Sequence, residues 1–216
     1  MPQRPTQTRP THSRPFVRLV LAISLDGRLA PPVGGAAQLG GEGDRRALER
    51  ALAWGDACLI RSPQLLEQRR SEGRTEQPAA VVVSRSPDFS SAWRFFNQPL
   101  QRWLLAPEPV DQGFDRWFPL APTWPERLQA LGAAGIQRLV LLGGAQLSAD
   151  LLQADCVDAL QLTLVPQLLG GRFSWLPCTN APLPAALAQP GAWQSEGAED
   201  LGDGEWLVRY RRIRSG

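Results

Sequence analysis

Residues 138–152 read RLVLLGGAQLSADLL, and this stretch decides the fold. The run from Arg138 to Leu142 has the length and apolar density of a buried strand. Gly143 and Gly144 end it, and a helix is expected from Ala145 to about Ala154. A strand passing through two glycines into a helix has a chemical consequence. The backbone can approach a phosphate closely, and the helix start aims free amides and its positive dipole end at an anion. Taken alone, the same pattern also fits a plain tight turn.

Working outward, residues 157–165 read as a strand closed by Pro166, and Pro125 opens a helix running to about Ala134, before Gly135. Upstream strands are expected at residues 17–23, 57–60, 79–83, 102–106 and 117–120, with a helix from Asp44 that places Leu48, Ala51 and Leu52 on one face. Near the C-terminus, Trp206, Val208 and Tyr210 alternate with arginines as in a half-exposed antiparallel strand. Residues 1–15 read as a disordered tail, 177–192 as a loop, and 16–216 as one domain. Strands interleaved with helices predict an α/β sandwich on a mostly parallel sheet, and the two late strands predict an antiparallel edge. Ligands of such sheets collect beyond the carboxyl ends of the strands. Besides the glycine pair, those ends carry Ser24 and Asp26, where a carboxylate could bind substrate or move a proton, and Ser84, Arg85 and Ser86, a set suited to phosphate. Plain turns are the competing readings of both.

Composition narrows the chemistry. All 23 basic residues are arginine, against 21 acidic ones, and the one histidine, His12, lies in the tail. Phosphate-loop, Schiff-base and kinase chemistries that need a lysine are excluded, and a histidine triad or multi-histidine metal centre is not expected. Three cysteines without paired spacing, with Cys58 and Cys156 as small core residues, suggest a reducing cytoplasm. No apolar run reaches the roughly 18 residues of a membrane span, and the polar start does not read as a secretory signal. Arg4, Arg9, Arg14 and Arg18 form a loose group that reads as a solvated tail rather than a nucleic-acid patch.

Four segments together resemble a known family. LAISLDGRLA (21–30), GDACLI (55–60), LVLLGGAQLSADLL (139–152) and VDALQLTLVPQLLGG (157–171) are similar to the reductase domain of the bifunctional riboflavin-biosynthesis deaminase/reductase, in the dihydrofolate reductase-like superfamily. The resemblance runs from about Phe16 to Ile213. It implies a three-layer α/β/α sandwich, NADPH as cofactor, a homodimer, and hydride transfer to the ribose carbon of a phosphoribosylated aminopyrimidine. It places Gly143, Gly144, Ala145 and Gln146 on the pyrophosphate, Ser84 and Arg85 on the adenosine 2′-phosphate, and the Ala22 backbone on the nicotinamide carboxamide. Asp26 becomes the catalytic candidate, with Ser24, Leu39 and Arg61 on the substrate side.

The departures from the family fall mostly on that side. Leu39 stands where the family has tryptophan, Leu52 where it has a helix arginine, and Leu142 where it has glutamate. Residues 61–64 replace a glycine-rich turn, and Gln68, Arg69 and Arg70 replace an Asp-Asp-Pro sequence. A bidentate phosphate anchor and acid–base carboxylates are thereby lost. Arg50, Arg61, Arg69 and Arg70 are alternatives for the substrate phosphate. The departures also allow a second reading, a non-catalytic member of the fold acting as a binding or regulatory module.

Overall fold

The computed structural model describes residues 14–34, 39–62, 77–86, 89–90, 92–110, 113–177 and 182–214. In chain order these form β1 (Phe16–Ser24), α1 (Glu42–Trp54), β2 (Ala57–Ile60), β3 (Ala79–Val83), β4 (Arg102–Ala106), β5 (Arg116–Pro119), α2 (Trp124–Ala133), β6 (Arg138–Leu141), α3 (Ala145–Gln153), β7 (Ala159–Val165), β8 (Trp193–Gly202) and β9 (Glu205–Arg212). The strands make one sheet in the order β5-β4-β3-β2-β6-β1-β7-β9-β8. All neighbours are parallel up to β7, and β9 and β8 add an antiparallel hairpin. This is the expected mostly parallel α/β sheet with an antiparallel edge.

Helices cover both faces, so β2 and β3 are buried at every residue and read as unbroken apolar runs. On one face, α2 and α3 pack Leu128, Leu131, Leu147 and Leu151 against Leu19, Leu59 and Val81. On the other, α1 packs Leu48, Ala51 and Leu52 against Val20, Cys58 and Val140. Thr123 and Glu126 close a capping box on α2, so this helix starts at Trp124, one residue before the proline. Gly41 gives α1 no side-chain cap. Instead the Glu205 carboxylate of β9 accepts from the Gly41 amide at 2.6 Å and from the Asp44 amide at 3.3 Å.

Two sequence expectations change. The edge contains a second strand, β8, which the sequence reading left unassigned because its residues are nearly all solvent-exposed and carry no apolar alternation. In β9 the fully buried residue is Leu207, while Trp206 is 47% exposed, because the strand's inner face is the one carrying Glu205 toward α1.

One carboxylate ties the chain ends to the sheet. Asp158, just before β7, accepts both terminal nitrogens of Arg14 at 2.7 Å, the Val17 amide at 2.8 Å and Arg214 Nη1 at 2.7 Å. Arg14, placed in the tail by sequence, is therefore held by the fold. Burial pushes the Asp158 carboxyl up, but Arg14, the Val17 amide and Arg214 outweigh it and hold it below the ordinary carboxylate range. Asp158→Asn should cost about 2 kcal/mol, less than a fully buried pair because solvent reaches both arginines. A carboxyl with a depressed folded pKa stabilises above its unfolded value of about 3.9 and loses that contribution as pH falls through the folded value. The melting temperature of the wild type should thus drop below about pH 4 more steeply than that of Asp158→Asn, as calorimetry would measure.

Candidate active site

The parallel strands deliver their carboxyl ends to one edge of the sheet. At its centre, β6 leads through Leu142 and the glycine pair into α3. Gly143 has φ +73° and Gly144 φ +86°, a left-handed region that favours glycine. A Cβ on Gly143 would lie 2.8 Å from Leu21 Cδ2 and 3.0 Å from Ser148 Oγ, so this turn lies flat on β1 and α3. A Cβ on Gly144 would meet nothing within 4 Å, so the turn opens to space above the helix start. No side chain caps α3 and no acidic residue lies in its first turn. Under the turn, Ser148 Oγ is buried without a hydrogen-bond partner. These features fit an anionic group: a positive dipole end and, among the described residues, no side-chain cap on the first amides. Of the flanking residues, Ala145 is half-buried, and exposed Gln146 donates to Asp150 Oδ1 at 2.8 Å.

The exit of β1 is closed rather than open. Ser24 is fully buried; its hydroxyl donates to Asp26 Oδ1 at 2.6 Å and accepts from the Arg28 amide at 2.9 Å. Asp26 also accepts the amides of Leu169 at 3.0 Å and Gly170 at 2.7 Å, and Arg28 Nε lies 3.5 Å away. The Ser24 hydroxyl and the two amides hold the Asp26 carboxyl well below its usual range. Around it, Leu25 donates to the Gln167 carbonyl, Leu29 to Phe173 and Trp175 to Gly27. Asp26 thus binds the turn at residues 166–171 to the end of β1. Ala22, half-buried in β1, sits opposite Thr163.

A cleft on the α2 and α3 side of the edge brings together Arg61 after β2, Arg85 after β3, Arg127 on α2 and Asp150 on α3. Arg61, expected on the substrate side, thus shares a cleft with Arg85, expected on the cofactor. Ser84 is half-buried, and its hydroxyl is turned onto the Ser86 backbone. Arg127 was absent from the sequence reading, since nothing in the linear pattern links position 127 to 61 and 85. Leu39 is half-buried ahead of α1. Leu52 and Leu142 are both core residues on the α1 face. Gln68, Arg69, Arg70, His12 and Cys178 lie outside the described residues. Among the described residues, no group of three or more acidic, histidine or cysteine side chains could hold a metal ion, and no helix is long and apolar enough to cross a membrane.

A doubly covered parallel sheet, an antiparallel hairpin at one edge and a helix behind a glycine pair make up a dihydrofolate reductase-like fold. The fold matches a dihydrofolate reductase of Enterococcus faecalis solved with NADP(H), with a TM-score of 0.57 at 13% identity over 94% of this chain and 99% of that one. It matches a deaminase/reductase of Thermotoga maritima more closely, with a TM-score of 0.76 at 18% identity over 93% and 57%. In sequence, residues 15–200 match the RibD C-terminal domain, and the chain belongs to that family. A riboflavin biosynthesis protein RibD of Haemophilus influenzae is 29% identical over 88% of this chain, which spans 56% of that protein's length. A 2,5-diamino-6-ribosylamino-4(3H)-pyrimidinone 5′-phosphate reductase of Archaeoglobus fulgidus is 26% identical, over 76% of this chain and 86% of that one.

The Asp26 geometry makes a prediction. Asp26→Ala removes the acceptor of the Leu169 and Gly170 amides, which should then exchange with deuterium about tenfold faster or more. Exchange at wild-type rates would mean that the carboxylate does not hold the turn.

Proposed function

We propose that the protein is an NADPH-dependent reductase acting on the ribose carbon of a phosphoribosylated aminopyrimidine of riboflavin biosynthesis. The observation that carries this is the open amide end of α3 over Gly143 and Gly144, in a chain whose matched relatives include a pyrimidinone phosphate reductase. The cofactor, when bound, supplies the hydride. The chain supplies position and field. Gly143, Gly144, Ala145 and Gln146 hold the pyrophosphate by backbone amides and the helix dipole. The Ala22 backbone faces the nicotinamide end, two strands along the edge from β2. Asp26 acts as a positioning residue: already anionic and saturated with donors, it holds the 166–171 turn against the end of β1.

The same reading makes the protein a cytoplasmic homodimer, and sedimentation at twice the chain mass tests the dimer. A second reading, a binding module without turnover, is favoured by one observation: Leu52 and Leu142 place core side chains where the family resemblance implies charge. Turnover of the phosphoribosylaminopyrimidine with NADPH, and rescue of a strain lacking the reductase, decide between them. No turnover with intact NADPH binding would favour the module.

The glycine pair can be tested separately. Gly144→Asp introduces a strained left-handed residue and sets a carboxylate before the α3 amides. NADPH affinity by calorimetry should fall a hundredfold or more, on the order of 3 kcal/mol. Unchanged affinity would make the pair a turn only.

A further inference from the structure

The start of α1 is held from outside its own segment. Gly41 has no side chain to cap the helix, and the Glu205 carboxylate does so instead, taking the Gly41 amide on Oε1 at 2.6 Å and the Asp44 amide on Oε2 at 3.3 Å. Glu205 is only 5% exposed, so its carboxylate relies on these amides in place of water. A Cβ on Gly41 would lie 3.3 Å from Glu205 Oε1, and one on Gly43 would lie 2.5 Å from the Leu201 carbonyl oxygen. The first turn of α1 therefore rests directly on the tip of the β8–β9 hairpin. A serine or aspartate at position 41 would cap the helix locally. A cap from 164 residues away does what a local one does not: it fixes where the helix start lies relative to the sheet.

That place is the carboxyl edge, beside the end of β1. β9 runs antiparallel to β7 with Trp206 opposite Leu164, so Glu205 stands where β7 ends. β7 in turn ends beside β1, with Val165 opposite Ser24. Farther along, α1 is tied to β7 by Gln161, which donates to the Ala47 carbonyl at 3.3 Å, and to β8 by the exposed Arg50–Glu199 pair. Of these three ties, only Glu205 acts at the edge itself. The glycine pair leads into α3, which packs on the opposite face of the sheet from α1. With the pyrophosphate on that side and the nicotinamide at the end of β1, the carbon that takes the hydride lies toward the α1 face. The 166–171 turn bounds this space at β7, and the α1 start bounds it on the α1 face, with Leu39 carried just ahead of the helix. We infer that Glu205 is a positioning residue for the proposed reduction: it holds the α1 start as the wall against which the substrate is placed. The inference rests on the reductase reading above.

Steady-state kinetics of the full chain with NADPH and the phosphoribosylaminopyrimidine, beside calorimetry with NADPH alone, tests this. Glu205→Gln keeps the side chain's shape and one acceptor oxygen but cannot accept on the other. Gly43→Ala leaves the carboxylate in place and pushes the same turn off the Leu201 carbonyl. Each should raise KM for the pyrimidine about tenfold, with kcat within about threefold and NADPH affinity within about twofold, because a loosened wall weakens substrate binding and leaves the other face untouched. Glu205→Ala, which loses both acceptors, should raise KM further than Glu205→Gln. A lower melting temperature with unchanged KM makes Glu205 a structural cap only and overturns the inference. An equal loss of NADPH affinity also overturns it. So does a raised KM in only one of the two variants; in Glu205→Gln alone, it would mean that the carboxylate touches the substrate. Glu205→Gln is isosteric, and its KM decides the case if Gly43→Ala does not fold. A wild type without turnover removes the reductase reading and the inference with it, whereas turnover with unchanged KM in the variants removes the inference alone.

Discussion

The register between β1 and β7 is the constraint on which the site depends, and Asp158 sets it. Its backbone amide donates to the Val17 carbonyl while its carboxylate accepts the Val17 amide, which ties the two strands together where they begin to pair. From that point the pairing runs without slip from Arg18 opposite Ala159 to Ser24 opposite Val165. A one-residue shift would reverse the faces of β7 and bring a different part of the 166–171 turn past Asp26. The carboxylate at one end of the pair thus places the amides that the carboxylate at the other end binds. Arg14 and Arg214 meet on Asp158 as well, so both chain ends contribute to a geometry that matters seven residues along the sheet.

What sequence made legible follows from burial. β2, β3 and β4 occupy the residues expected of them, 57–60, 79–83 and 102–106, because strands covered on both faces give apolar runs with sharp polar borders. β8 gave no such signal, since ten residues on an exposed edge need neither alternation nor β-branched side chains. The glycine pair and the turn after β1 were legible as turns, because Gly and Asp-Gly report local backbone demands. Their neighbours in space were not. The Leu169 and Gly170 amides on Asp26, Glu205 on the start of α1, and Arg127 beside Arg85 join positions from 42 to 164 residues apart, and no spacing rule encodes such pairs.

The departures on the substrate side acquire a physical form. Leu52 and Leu142 pack into the same apolar cluster on the α1 face, with Val20, Cys58 and Val140. A guanidinium at 52 or a carboxylate at 142 would need a hydrogen-bonded partner to stay buried there, and the surrounding cluster is apolar. The α1 side of the edge has thereby exchanged charge for core. On the opposite face of this edge, Arg61, Arg85 and Arg127 gather in one cleft.

The chain carries 23 arginines, and those among the described residues are put to several uses. Many serve the backbone. Arg102 donates to the carbonyls of Phe95, Phe96 and Gln98, Arg214 to those of Asp155 and Val157, and Arg212 joins Asp155 to the Ala192 carbonyl. A planar fork with five donors can span several carbonyls at once, which the compact ammonium of lysine does less well. Others sit on carboxylates, as Arg138 does on Asp56 and Arg50 on Glu199. Arginines engaged in this way brace loops and strand entries and offer little to an incoming anion. Arg61 and Arg85, with no such partner among the described residues, stand at the carboxyl edge of the sheet. There an unneutralised guanidinium lowers the free energy of a bound phosphate instead of holding the chain together.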